Sequence, residues 1–368
     1  MKQNVSIGFP HMQKETSEKR AFLPDFIQHL TRFANVYLAE GYGSRMGFEF
    51  NDYRRGNPRV FMAERKETFR KDYVMVLRSP IEEEFQLIKP NSCLISMLHY
   101  ATRPKRVELL KEHKIKSISL DSIVDDNNLR LVENMRSVAW NGLEIAFDVL
   151  EKRWPNLVKE DRKPFNVVIL GTGMVGKHAI EAATKLGNIE RNNHHMELGG
   201  QGSLAISVGR NLISDEKTME QLLNTADILV DATQRRDPSK PVIPNTWIKW
   251  LPEHAVIADL SVDPYLLDHK PPVVRGIEGT PQGNLDQYLF YPDDPAWGGT
   301  IPDSIPSDDR RATVTCYSWP GINPEACMEH YGRQLIPLME ELLAKGYDNL
   351  SLDGGYFERA LVRAKLPV

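Results

Sequence analysis

Val167-Val168-Ile169-Leu170-Gly171-Thr172-Gly173-Met174-Val175-Gly176 runs from four apolar residues straight into G-x-G-x-x-G, and the pattern after it is helical as far as Leu186. A strand, a glycine turn and a helix in that order make the front half of a dinucleotide-binding βαβ unit. Gly171 permits the tight turn, Gly173 lets backbone approach a pyrophosphate, and Gly176 lets the helix pack closely on the strand. The helix then opens with unpaired N–H groups aimed at the phosphates. Thr172, Met174 and Val175 complete the loop as candidate cofactor contacts. Residues 171–177 also satisfy G-x-x-x-x-G-K, but His178 stands where a P-loop needs Ser or Thr to ligate Mg²⁺. The expected ligand is therefore NAD or NADP, not a hydrolysed nucleoside triphosphate.

Working outward, strands are expected at 204–208, 228–230 and 255–260, with a helix at 216–226. Residues 264–309 are rich in Pro, Asp and Gly and too long for a turn, so a lid or an excursion over the site is expected there. Upstream, Met135, Val138, Ala139, Leu143, Ala146 and Leu150 recur at helical spacing until Pro155, which reads equally as a connecting helix or a core helix. Strands at 5–9, 36–38, 73–77, 93–98 and 117–120 alternate with helical patterns, and 326–345 is a further helix ended by Gly346. Alternation of this kind points to parallel α/β structure.

A chain of 368 residues accommodates two such domains. Its net charge of -4, with 26% charged residues, argues against a nucleic-acid partner. Without an apolar run long enough to cross a bilayer, or a signal-peptide core before Lys14, a cytoplasmic location with no membrane partner is expected. Cys93, Cys316 and Cys327 are odd in number and lack C-x-x-C spacing, so neither a disulfide framework nor a metal site is expected.

In α/β folds ligands gather at the carboxyl ends of parallel strands. There the sequence places Arg78 after 73–77, His99 after 93–98 and Asp263 after 255–260, while Arg20 precedes the first helix. Arginine supplies a bidentate grip on a carboxylate, and histidine titrates near neutrality.

Seven segments in collinear order resemble one family, that of alanine dehydrogenase, the nucleotide-binding part of transhydrogenase and lysine-forming saccharopine dehydrogenase. Residues 14–24 look like its KE…RxxLTP opening, 76–80 like KVKEP, 98–101 like LHLA, 133–139 like PMSEVA, 258–263 like VDVAID and 317–321 like ANMPG, beside the glycine loop. The resemblance implies two Rossmann-like α/β domains. A dinucleotide domain at 141–317 would be inserted into a discontinuous catalytic domain at 1–140 and 318–368 and joined to it by a helix, with hydride transfer in the interdomain cleft. It further implies that Arg20 binds the substrate carboxylate, that His99 is the acid/base and that Asp263 lies beside the nicotinamide.

Arg78 occupies the position of the family's catalytic lysine; as a permanently charged guanidinium it suits substrate binding or polarisation of a carbonyl, not proton transfer. The implied function is an NAD(P)-dependent amino-acid oxidoreductase acting on CH–NH groups, either alanine dehydrogenase-like or saccharopine/opine dehydrogenase-like. Its partner would be a small amino acid or keto acid, and a homo-oligomer is compatible with the resemblance. The alternatives are a catalytically inactive, nucleotide-sensing homologue and a transhydrogenase-like soluble subunit. Between the cofactors, Arg210 after strand 204–208 suits a 2′-phosphate, whereas Glu197 would serve a ribose hydroxyl if the strand lay earlier.

Overall fold

The computed structural model describes residues 5–12, 14–153 and 163–367, so the expected stop at Pro155 lies outside the described residues. The chain divides into two α/β units, Met1–Asn134 with Asn323–Val368, and Met135–Ile322. No helix among the described residues is long and apolar enough to cross a membrane.

The first unit holds β1 (Ser6–Phe9), β2 (Asn35–Ala39), β3 (Val60–Ala63), β4 (Tyr73–Arg78), β5 (Cys93–Met97) and β6 (Lys116–Ser119). They form one parallel sheet in the order β3-β2-β1-β4-β5-β6. Alternate residues of its apolar strands serve opposite faces. Met75 and Ile95 join Phe26, Ile27, Leu335 and Leu342 from the helices Pro24–Leu30 and Pro324–Lys345. Val74, Val76 and Leu94 instead meet Phe85, Leu110 and Ile115. Strand order reverses between β1 and β4, and a crevice at the carboxyl ends of the strands follows from that reversal.

The second unit repeats the plan with β7 (Phe165–Leu170), β8 (Ser203–Val208), β9 (Ile228–Asp231), β10 (Val256–Asp259), β11 (Leu289–Phe290) and β12 (Ala312–Thr315). The order is β11-β12-β10-β9-β7-β8, parallel except for β11. Val167 and Ile169 pack on Leu143, Ala146, Ala179 and Ala182, whereas Val168 and Leu170 pack on Met219, Leu223 and Ile243. The helix Met135–Arg153 thus contributes to the core of this unit. At Gly142 an added Cβ would come within 2.2 Å of the Leu260 side chain, so a larger residue there would force Leu260 to move.

The strands β3 and β12 were not among those expected, and two further stretches carry more structure than the sequence suggested. Polar residues 188–202 contain a helix, Ile189–Glu197, capped by Asn188, whose side chain accepts from the N–H groups of Glu190 and Arg191. The excursion 264–309 pairs β11 against β12 and packs Phe290, Trp297 and Ile301 into a small cluster of its own.

Candidate active site

In the second unit strand order reverses between β7 and β9, beside the glycine loop. Gly171 sits at φ +104, and a Cβ there would approach the Ala232 carbonyl to 2.5 Å. A Cβ on Gly176 would approach the Gly171 carbonyl to 2.3 Å, so the helix can lie on the turn only without a side chain. Gly173 differs: a Cβ there meets nothing within 4 Å, because it faces open space. The helix Met174–Ala183 starts at Gly173 with no side-chain cap, leaving its first N–H groups to a ligand. Two glycines demanded by packing and a third that leaves open space before the helix N-terminus form a cradle whose shape suits a pyrophosphate. Thr172 and Met174 are exposed at its rim, with Val175 half-buried.

Gly171, Thr172 and Gly173 line a pocket of about 800 Å³ that extends past Arg210 at the end of β8. Beyond β10, Val262 adopts φ +50, a left-handed conformation costly for a β-branched residue, and its N–H donates to Asp259 at 2.8 Å. That turn presents Asp263, half-exposed and paired with Arg235 at 2.6 Å.

Beneath it lies a buried charge cluster. Asp259 and Arg275 form a fully buried ion pair, and Arg275 also donates to Thr315 Oγ1 at 2.6 Å, Thr280 Oγ1 at 3.1 Å and the Asp263 carbonyl at 3.0 Å. Asp231 ends β9 with one carboxylate oxygen accepting from Thr233 and Ser261 and the other without a partner among the described residues. Burial, reinforced by the Asp259 charge, pushes its carboxyl above the usual range. Gly276 is required here, since a Cβ would lie 2.0 Å from that unpartnered oxygen.

In the first unit, Arg78 closes β4 and Arg20 lies in the loop that follows β1, so the reversal point brings them together. Glu18 joins them: its carboxylate accepts from Arg20 Nε at 2.9 Å, Arg20 Nη2 at 2.6 Å and Arg78 Nη1 at 3.0 Å. Glu15 takes Arg78 in a fork, at 2.7 and 2.9 Å. Burial pushes the Glu18 carboxyl up, but Arg20 and Arg78 outweigh it and hold it at about 2. Lys14 lines a pocket shared with Arg78, and burial, aided by the charges of Arg106 and Arg78, brings its amine down to about 8.

His99 stands two residues beyond β5 at φ 52, its ring half-exposed. Asp121 accepts from its backbone N–H at 3.0 Å and lies 3.3 Å from its Nδ1. Burial raises the Asp121 carboxyl, but His99 and Ser119 together bring it well below the ordinary range. The pair leaves Nε2 as the outward nitrogen, the arrangement that orients an imidazole for proton transfer.

Sequence reasoning singled out Arg20, Arg78, His99 and Asp263 but missed their partners Glu15, Glu18, Asp121 and Arg235. Glu15 and Glu18 were visible in the quoted 14–24 segment, and an acid ending an apolar strand could have flagged Asp231 and Asp259. Arg275 carried no local signal.

The model of the alanine dehydrogenase/PNT N-terminal domain matches residues 11–139, and that of the C-terminal domain matches 159–264. The alanine dehydrogenase of Staphylococcus saprophyticus is 26% identical over 278 residues, covering 70% of this chain and 72% of its own length. That of Bacillus subtilis is 24% identical over 278 residues, covering 70% of each. The solved structure of an L-alanine dehydrogenase superposes with a TM-score of 0.72 at 20% identity, covering 98% of this chain and 94% of its own. A transhydrogenase from Sinorhizobium meliloti superposes with a TM-score of 0.62 at 14% identity, covering 93% and 95%.

Proposed function

Because the chain belongs to the alanine dehydrogenase/PNT family, we propose that it is an NAD(P)-dependent oxidoreductase acting on the CH–NH group of an amino acid. The observation that carries this reading is the glycine cradle, where Gly173 alone is open to a ligand while Gly171 and Gly176 are closed by backbone. When bound, the nicotinamide supplies the hydride acceptor or donor. The residues of this chain bind, orient and move protons.

His99 exchanges a proton with the substrate through Nε2, and Asp121 fixes the ring through Nδ1. Arg20 and Arg78 supply the cationic grip for a carboxylate. Lys14 supplies beside Arg78 the titratable amine that a guanidinium cannot offer. Asp263 is presented by the Val262 turn at the strand ends of the second unit, and the family resemblance gives that position to a residue beside the nicotinamide. These roles are read from position and partners.

The test is turnover of amino acids with NAD or NADP, and of oxo acids with ammonium or amines in reverse. His99→Ala is expected to lose at least about 100-fold in kcat while retaining dinucleotide binding; full turnover in that variant would remove His99 from the mechanism. The double engagement of Arg78 by Glu15 and Glu18 favours a second reading, a dinucleotide sensor without turnover. Cofactor binding with no turnover, unrestored by Arg78→Lys, would select it.

A further inference from the structure

NAD and NADP share the pyrophosphate that the cradle accommodates and differ only at the 2′ position of the adenosine ribose. A protein selecting the hydroxyl sets a carboxylate at the end of the second strand of the βαβ unit. A 2′-phosphate is close to dianionic at neutral pH and needs fixed cations instead. The second strand here is β8, paired in parallel along the whole of β7, and it runs out through Gly209, Arg210 and Asn211 with no acid. Glu197, the remaining candidate acid, sits on the preceding helix with its side chain 78% exposed.

The charges lining the 800 Å³ pocket agree with that strand end. Arg235 is committed to Asp263, and Lys240 to Asp237. Asp237 accepts from the N–H and hydroxyl of Ser239 as well, so its oxygens are engaged. Arg210 donates to the Gln234 carbonyl at 3.3 Å. Among the described residues neither Arg210 nor Arg236 has a carboxylate partner, yet both line this pocket with the glycine turn. A Cβ on Gly209 would meet nothing within 4 Å, so the approach to Arg210 is open. Two guanidinium groups without a carboxylate partner among the described residues suit a phosphate, and the one carboxylate lining the pocket, Asp237, is paired with Lys240.

We infer that this protein selects NADP over NAD, with Arg210 and Arg236 receiving the 2′-phosphate. The inference rests on the dinucleotide reading above and sharpens it. The experiment is fluorescence titration of the intact protein with NADPH and with NADH, followed by displacement of NADPH with 2′,5′-ADP or 5′-ADP. NADPH is expected to bind at least tenfold more tightly, and 2′,5′-ADP to displace it at concentrations where 5′-ADP does not. In Arg210→Asp, and separately in Arg236→Gln, the ratio of NADPH to NADH affinity should fall, at least tenfold in the former. Equal or tighter binding of NADH, or a ratio unmoved in both variants, overturns the inference and leaves the dinucleotide reading standing. Failure of both dinucleotides to bind overturns both.

Discussion

Arg275→Met removes the guanidinium that ties the ends of β10 and β12 to the turn at Asp263 and to Thr280. Arg275 is 0% exposed and its partner Asp259 1%. The substitution strands a carboxylate that keeps, among the described residues, only the Val262 N–H and a long contact to Thr315 Oγ1, 3.5 Å away. Removing one member of a buried pair costs about 3–5 kcal/mol, because the remaining charge is left without compensation. In a unit of this size each kcal/mol moves the melting temperature by about 2–4 °C, so a fall of roughly 6–20 °C is expected. Differential scanning calorimetry of the intact chain reads the fall. Adding Asp259→Asn keeps an acceptor for the Val262 N–H and removes the charge, and should recover at least half of the fall. A single variant within 2 °C of the parent, or a double variant no better than the single, would refute the reasoning.

The two kinds of glycine in the cradle separate binding from folding. Gly173→Val should leave the melting temperature nearly unchanged and abolish dinucleotide binding, whereas Gly171→Val should lower both, since it forces a side chain against the Ala232 carbonyl at φ +104; calorimetry and fluorescence titration distinguish them. Acid stability should depend on Glu18. Its folded carboxyl is held at about 2 against an ordinary 4.5, so its contribution is complete above pH 4.5 and is lost as pH falls towards 2. Glu18→Gln should flatten the dependence of the first unit's stability on pH across that window, and an unchanged slope would contradict the pairing.

Local pattern carried most of the architecture because continuous apolar runs such as 73–77 and 167–170 are required of strands covered on both faces. The edge strand Val60–Ala63 was not legible: Phe61 and Met62 are exposed, so no burial pattern marks it. The helix Ile189–Glu197 was hidden for a related reason, since its fully buried positions are Asn192 and His195, polar residues that no apolar periodicity reveals. In the site, residues that end strands were legible from position alone. Their partners were not, because ion pairs such as Asp259 with Arg275 join segments that only the fold brings together. Val262 shows the limit most plainly: a valine gives no sign in sequence that its backbone will turn left-handed.

The quartet of Glu15, Glu18, Arg20 and Arg78 carries its own counter-ions, two acids against two bases. In the proposed role of Arg20 and Arg78, an arriving carboxylate would have to displace Glu15 or Glu18 from a guanidinium already paired. The paired acids offset the two guanidinium groups, so the field they send into solvent is weaker than that of unpaired arginines. Discrimination would come from how well the incoming group reproduces the fork geometry at Arg78, which favours planar carboxylates over anions of equal charge and different shape.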